Sequence, residues 1–123
     1  MITVSPLKEK EKISGLFEKQ DFKFNENSGA VVAKDRDEIL GFSLYYLDEK
    51  SITVLCVEPK DDIMLADGIL RSALHVAACQ SSMDAKYQGE EYEELYGKLD
   101  FIKDKESKTL DIDKLFGGCN CHK

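Results

Sequence analysis

Between residues 29 and 57 the apolar positions fall into three short runs, 29–34, 38–47 and 51–57. Asp35-Arg36-Asp37 and Asp48-Glu49-Lys50 separate them, gaps short enough for hairpins, so the pattern predicts an antiparallel meander. In the middle run Leu40, Phe42, Leu44 and Tyr46 alternate on one face, and Ile39, Tyr45 and Leu47 occupy the other. Apolar residues on both faces predict an interior strand covered by helices on both sides.

A different period follows. Ala66, Ile69, Leu70, Ala73 and Ala77 recur at three- and four-residue spacing, the stripe of a core-facing helix. Pro59 closes the strand before it, Asp61 or Asp62 can cap the helix, and it is predicted to run to about residue 80. Ahead of the meander, Ile2-Thr3-Val4 predicts a strand, and Ser5-Pro6 predicts a helix start with serine as N-cap and proline at the first helical position. That helix is predicted to about residue 20, with Ile13, Leu16 and Phe17 on one face. Gly15 sits inside it, where glycine costs roughly 1 kcal/mol against alanine. Residues 21–28 read as a connection. Past the long helix, 83–87 reads as a weak strand, 90–98 as an acidic helix, Phe101-Ile102 as the start of a strand, 103–108 as a charged turn and 109–112 as a last strand. The order β, α, three antiparallel β, α, β, α, β defines an α+β chain. Residues 1–116 read as one domain, and 117–123, after Gly117-Gly118, as a flexible tail.

Composition narrows the function classes. With 123 residues and 42% hydrophobic content, one domain can bury roughly two-thirds of its unfolded surface without a disulfide or metal. A net charge of −7 argues against a general nucleic-acid binder, which needs a basic face for phosphates. It suits a cationic amine substrate, and a solvated acidic surface accounts for it equally well. No apolar run reaches membrane-span length, and residues 1–12 lack the apolar stretch of a signal peptide, so a cytoplasmic protein without a membrane partner is expected. Cys56 and Cys79 lie in apolar segments and read as small core residues, not as a disulfide framework. Cys119, Cys121 and His122 bring soft or borderline ligands together, suited to zinc or copper(I). Only three ligands are local and C-x-C is not the C-x2-C knuckle, so no metal site is assigned. An exposed thiol tail is the plainer reading, and a tail folded back toward a cleft is a third. His75, in the middle of the long helix, is expected to be packed or at its edge.

The segment 90–102, EEYEELYGKLDFI, resembles the LYxKxGF signature of the GNAT acyltransferase superfamily. Together with the element order, the resemblance spans nearly the whole chain and rests on residues 52–74 and 90–102. It implies a GNAT-like fold, a mixed, mostly antiparallel central sheet with helices on both faces. It also implies an N-acetyltransferase that moves an acetyl group from acetyl-CoA, as cosubstrate, to the amine of a small molecule or a protein, acting as monomer or homodimer. In such an enzyme the amine attacks the thioester carbon, a base takes the amine proton and an acid protonates the leaving thiolate. The pantetheine lies between two diverging strands, and the pyrophosphate sits on free amides at the start of the main helix.

Carried over by position, Tyr96 falls on the acid, and Glu58 falls near where some members keep a base. Cys56 and Val57 fall on the strand that offers main chain to the pantetheine. Met64, Leu65, Ala66 and Asp67 fall at the helix start that would hold the pyrophosphate. The family loop Q/R-x-x-G-x-G/A is replaced here. Aligned without a gap, Asp62 stands at Q/R and Leu65 and Asp67 at the two small positions. A three-residue insertion instead puts Leu65 at Q/R, Gly68 at the glycine and Leu70 at the second small position. The ungapped alignment is kept because the helix that follows then matches the family. Side chains at those positions hold the backbone away from a phosphate, and Asp61, Asp62 and Asp67 oppose an anion. Gly89 stands where many members carry asparagine, and Asp100 replaces the glycine of KxGF, a position where aspartate tolerates left-handed backbone. Two readings stay open: an active N-acetyltransferase, and a catalytically inactive GNAT-fold binding or regulatory module. Tyr96 also reads as an aromatic packing the end of a short helix, and Glu58 as a solvated glutamate before a proline.

Overall fold

The computed structural model describes residues 2–79 and 84–112, the Cys79 side chain excepted. The expectations for Met83, the Gly117-Gly118 segment and the Cys119/Cys121/His122 tail lie outside the described residues. Among the described residues seven strands form one sheet: β1 (Ile2–Pro6), β2 (Ser28–Asp35), β3 (Glu38–Leu47), β4 (Ser51–Glu58), β5 (Asp84–Tyr87), β6 (Ile102–Asp104) and β7 (Thr109–Leu110), in the order β1-β2-β3-β4-β5-β7-β6. The helices of the described residues are α1 (Lys10–Lys19), α2 (Ile63–Cys79) and α3 (Glu93–Lys98). The first four strands are antiparallel neighbours. β5 runs parallel to β4, because α2 carries the chain back across the sheet between them.

The helices cover opposite faces. Tyr46 of β3 meets Phe17 of α1, with ring centroids 5.8 Å apart. Gly41, five residues earlier and on the other face, lies under Ile69 of α2. There is no room for a side chain at Gly41: a β-carbon would come within 2.5 Å of the Glu58 carbonyl oxygen. The α2 stripe behaves as its spacing predicts, with Ala66, Ile69, Leu70, Ala73 and Ala77 all fully buried. Both faces of β2 are buried from Ala30 to Ala33, as two covering layers require. Among the described residues no helix is long and apolar enough to cross a membrane.

Two expectations are corrected. Ser5-Pro6 does not start a helix. Ser5 pairs with Val32 and Pro6 with Val31, and the Leu7 N–H continues the ladder to the Ala30 carbonyl at 2.8 Å. The strand outcompetes the local cap signal, and proline is tolerated because β1 is an edge strand. The helix starts at Lys10, after Glu9, whose side chain makes no cap bond. The alternation along β3 is also broken: the β2–β3 register slips beside Leu40, and Ile39 is left 46% exposed.

The signature segment has a clear local logic. α3 closes with the Phe101 N–H on the Tyr96 carbonyl (3.1 Å) and the Asp100 N–H on the Gly97 carbonyl (3.0 Å), the bonding of a Schellman cap. Asp100 takes the left-handed conformation this needs, φ 63°, as expected for a residue standing in for glycine. The cap turns the chain sharply, so Phe101 is fully buried and Tyr96, one helical turn back, is fixed in the core.

Candidate functional site

The β4–β5 ladder is short. It runs from Ser51 opposite Asp84 to Val54 opposite Tyr87, and a last bond joins the Gln88 N–H to the Val54 carbonyl at 3.1 Å. β4 continues through Leu55, Cys56, Val57 and Glu58, still paired to β3 through residues 42–44. Among the described residues no strand pairs with that stretch on its other side. The parting coincides with a register shift. Val54 faces Tyr45 and Cys56 faces Leu44, so Leu55 is one residue extra on β4, a bulge that bends a strand and raises its twist.

Side chains from the region of α3 stand over the end of β4. The Tyr92 hydroxyl donates to Glu58 Oε2. Lys60 Nζ is 3.3 Å from Glu91 Oε2 and 4.9 Å from the centre of the Tyr92 ring. Behind this bridge Tyr96 packs edge-on against Tyr87 at 5.2 Å and tilted against Tyr92 at 6.3 Å. Its side chain is 1% exposed, and its hydroxyl has no hydrogen-bond partner among the described residues. A buried hydroxyl without a partner costs roughly 1–3 kcal/mol, and such groups in native folds call for a reason.

The electrostatics keep protons in place. Burial, and then the neighbouring Cys56, Tyr92, Tyr87 and Glu58, push Tyr96 well above the ordinary tyrosine range. Burial, followed by the bond to Glu58, does the same to Tyr92. Burial pushes the Cys56 thiol up to about 12, opposed by a hydrogen bond with the Leu44 backbone. Near neutral pH the end of β4 is therefore lined by neutral proton donors, and Cys56 is a core thiol, not a nucleophile.

Of the residues singled out in the sequence, the fold brings Cys56, Glu58 and Tyr96 together. Val57 is buried opposite Ser43, on the other face of β4. Tyr92 was not anticipated, although a signal was present: it precedes Tyr96 by four residues, the spacing that places two side chains on one helical face.

The start of α2 is arranged differently. Asp62 caps it, its Oδ1 accepting the Leu65 N–H at 3.1 Å while its carbonyl accepts the Ala66 N–H at 2.9 Å. Ala66 faces the core, and Asp67 pairs with Arg71 Nε at 2.9 Å. Met64 is 87% exposed between two grooves. One, of about 960 Å³, lies between residues 61–65 and Ile2, Leu40 and Pro59. The other, of about 320 Å³, lies between Ile63, Met64 and Asp67 and the end of α3 at Lys98-Leu99. Neither is lined by Tyr96, Glu58 or Cys56. His75 is exposed on α2. Among the described residues no group of His, Cys, Asp and Glu is placed to hold a metal ion.

No protein-family model matches the sequence, and no curated protein is significantly similar to it. Solved structures share the fold, and they identify the architecture as the GNAT acetyltransferase fold. A GNAT family acetyltransferase from Elizabethkingia anophelis, with acetyl-CoA bound, is similar over 84% of this chain and 78% of its own, with a TM-score of 0.58 and 17% identity. A GNAT family acetyltransferase from Streptococcus pneumoniae TIGR4 is similar over 100% of this chain and 95% of its own, with a TM-score of 0.56 and 17% identity. A ribosomal-protein-alanine N-acetyltransferase from Brucella melitensis is similar over 80% and 90%, with a TM-score of 0.58 and 11% identity.

Proposed function

We propose that the protein transfers an acetyl group from a CoA-type thioester to an amine. The observation that carries this reading is Tyr96, whose buried hydroxyl has no partner among the described residues, beside the stretch where β4 runs on past the end of β5. A leaving thiolate is a partner that would use that hydroxyl. Burial holds the Tyr96 proton on, so the residue serves as acid and not as base. Glu58, whose carboxylate already accepts a hydrogen bond from Tyr92, is the group set to take the amine proton. Cys56 and Val57 contribute through their main chain, in the stretch that lacks a strand neighbour on one side. Acetyl-CoA would supply the activated carbonyl. The residues fit its thioester end and not its nucleotide end, since the Leu65 amide is already bonded to the Asp62 carboxylate.

Thermal unfolding with acetyl-CoA tests the reading. A ligand at about a hundred times its dissociation constant adds roughly 2.7 kcal/mol. No shift at millimolar acetyl-CoA would overturn it. Tyr96→Phe is expected to keep that shift and to slow acetylation of an amine panel by roughly 10²–10⁴-fold. A fully active variant would remove Tyr96 from the mechanism.

A second reading, a binding or regulatory module without catalysis, has its own support. Residues 55–57 of β4 are fully or almost fully buried, and Tyr92, bonded to Glu58, and Tyr96 stand close to Cys56. Acetyl-CoA binding without acetylation of any amine in the panel would select it.

A further inference from the structure

Resting on the acetyl-transfer reading, we infer that the donor is recognised as a pantetheine thioester and that its nucleotide diphosphate is not held by the protein. Two sets of observations point the same way. At the acyl end the Tyr96 hydroxyl is buried and, among the described residues, has no partner, beside main chain to which no described strand pairs on one side. At the other end the charges are arranged against an anion. Asp62 occupies the Leu65 amide with its carboxylate and the Ala66 amide with its carbonyl, so a phosphate would have to displace a carboxylate and then lie beside it. Asp61 stands exposed next to it. The cations nearby each already face a carboxylate, though in exposed and individually weak pairs: Arg71 with Asp67 at 2.9 Å, Lys60 with Glu91 at 3.3 Å and Lys98 with Glu94 at 3.6 Å. Leu65 and Asp67, which the ungapped family alignment sets at the two small positions, carry side chains where close approach of backbone to phosphate needs none. The whole chain carries −7, so long-range attraction does not make up for the local repulsion.

The donor is then distinguished by the acyl group and the neutral arm. The experiment is calorimetry of the full chain with three probes: S-acetyl-pantetheine, acetyl-CoA and adenosine 3′,5′-bisphosphate. The two thioesters are expected to bind within about threefold of each other, with little change between low and high salt. The bisphosphate is expected neither to bind nor to compete. Acetyl-CoA binding about tenfold or more tightly than S-acetyl-pantetheine, or competition by the bisphosphate, would overturn the inference and leave the acetyl-transfer reading standing. Failure of both thioesters to bind would overturn that reading, and the inference with it. Removing the carboxylates provides a positive control. In the double variant Asp61→Asn, Asp62→Gly, acetyl-CoA is expected to gain about tenfold while S-acetyl-pantetheine is unchanged. Equal gains for both probes would place the effect on folding or on the acyl end of the site, and would count against the inference.

Discussion

Substituting Tyr92 by phenylalanine tests whether the bridge over β4 governs access to the residues beneath it. Cys56 reports on that access. It is fully buried, two residues from Glu58 along β4, and both Glu58 and Glu91 act on its proton. Tyr92→Phe keeps the ring that Lys60 covers and deletes only the bond to Glu58. A hydrogen bond to a charged group is worth roughly 1.5–3 kcal/mol, and Tyr92 is buried while Glu58 is half-buried, so the lower half of that range applies. At about 1.4 kcal/mol per factor of ten, the open population rises roughly tenfold to fortyfold. Where opening and closing are fast, alkylation of Cys56 follows that population. The other link, Lys60–Glu91, joins side chains 46% and 68% exposed, so Lys60→Ala is expected to change the rate by less than about fivefold. The assay is timed alkylation of the folded protein, with peptide mass mapping to separate Cys56 from Cys79, Cys119 and Cys121. An unchanged Cys56 rate in Tyr92→Phe would refute the bridge. So would a rise that tracks the loss of global stability in urea, because exposure would then come from unfolding.

Other outcomes follow from the core. Gly41→Ala puts a β-carbon 2.5 Å from the Glu58 carbonyl oxygen and 2.8 Å from Ile69 Cδ1. It is expected to cost about 1–3 kcal/mol in urea unfolding, and a variant as stable as the parent would mean that β3 and α2 are not in contact there. Alkaline pH should weaken the fold. Burial holds Cys56 up to about 12 from its ordinary 9.0, and Tyr45 up to about 12 from 10.0. These groups lose protons earlier in the unfolded chain, so their stabilisation is complete below about pH 9 and is lost as pH rises toward 12. By about pH 10.5 Cys56 alone accounts for roughly 2 kcal/mol, at 1.36 kcal/mol per unit. A urea midpoint that stays flat from about pH 8 to 10.5 would contradict the buried thiol, and Cys56→Ala should flatten the early part of the fall.

Much of the fold was legible in the chain, for identifiable reasons. The stripe Ala66, Ile69, Leu70, Ala73, Ala77 has the period of the helix it forms, and the acidic gaps at 35–37 and 48–50 leave no room for anything but hairpins. Asp100 was readable because few residues accept a positive φ, and the motif around it ends a helix. Ser5-Pro6 misled because its helix signal is local while the ladder to Val31 and Val32 is not. Tyr92 was overlooked because its role depends on Glu58, 34 residues away in the chain.

The sequence by itself determined the helix-and-strand pattern through α3, the buried stripe of α2 and the helix-ending turn that fixes Tyr96, since each follows from side-chain period or from the conformational limits of single residues. Only the tertiary structure decided where β4 leaves β5, because the extra residue at Leu55 exists only relative to its partners on β3. It also decided which groups share that space. A bulge, a bridge from Tyr92 to Glu58 and a buried hydroxyl with no partner among the described residues are relations between distant segments, and they arise when packing, not local preference, sets the register.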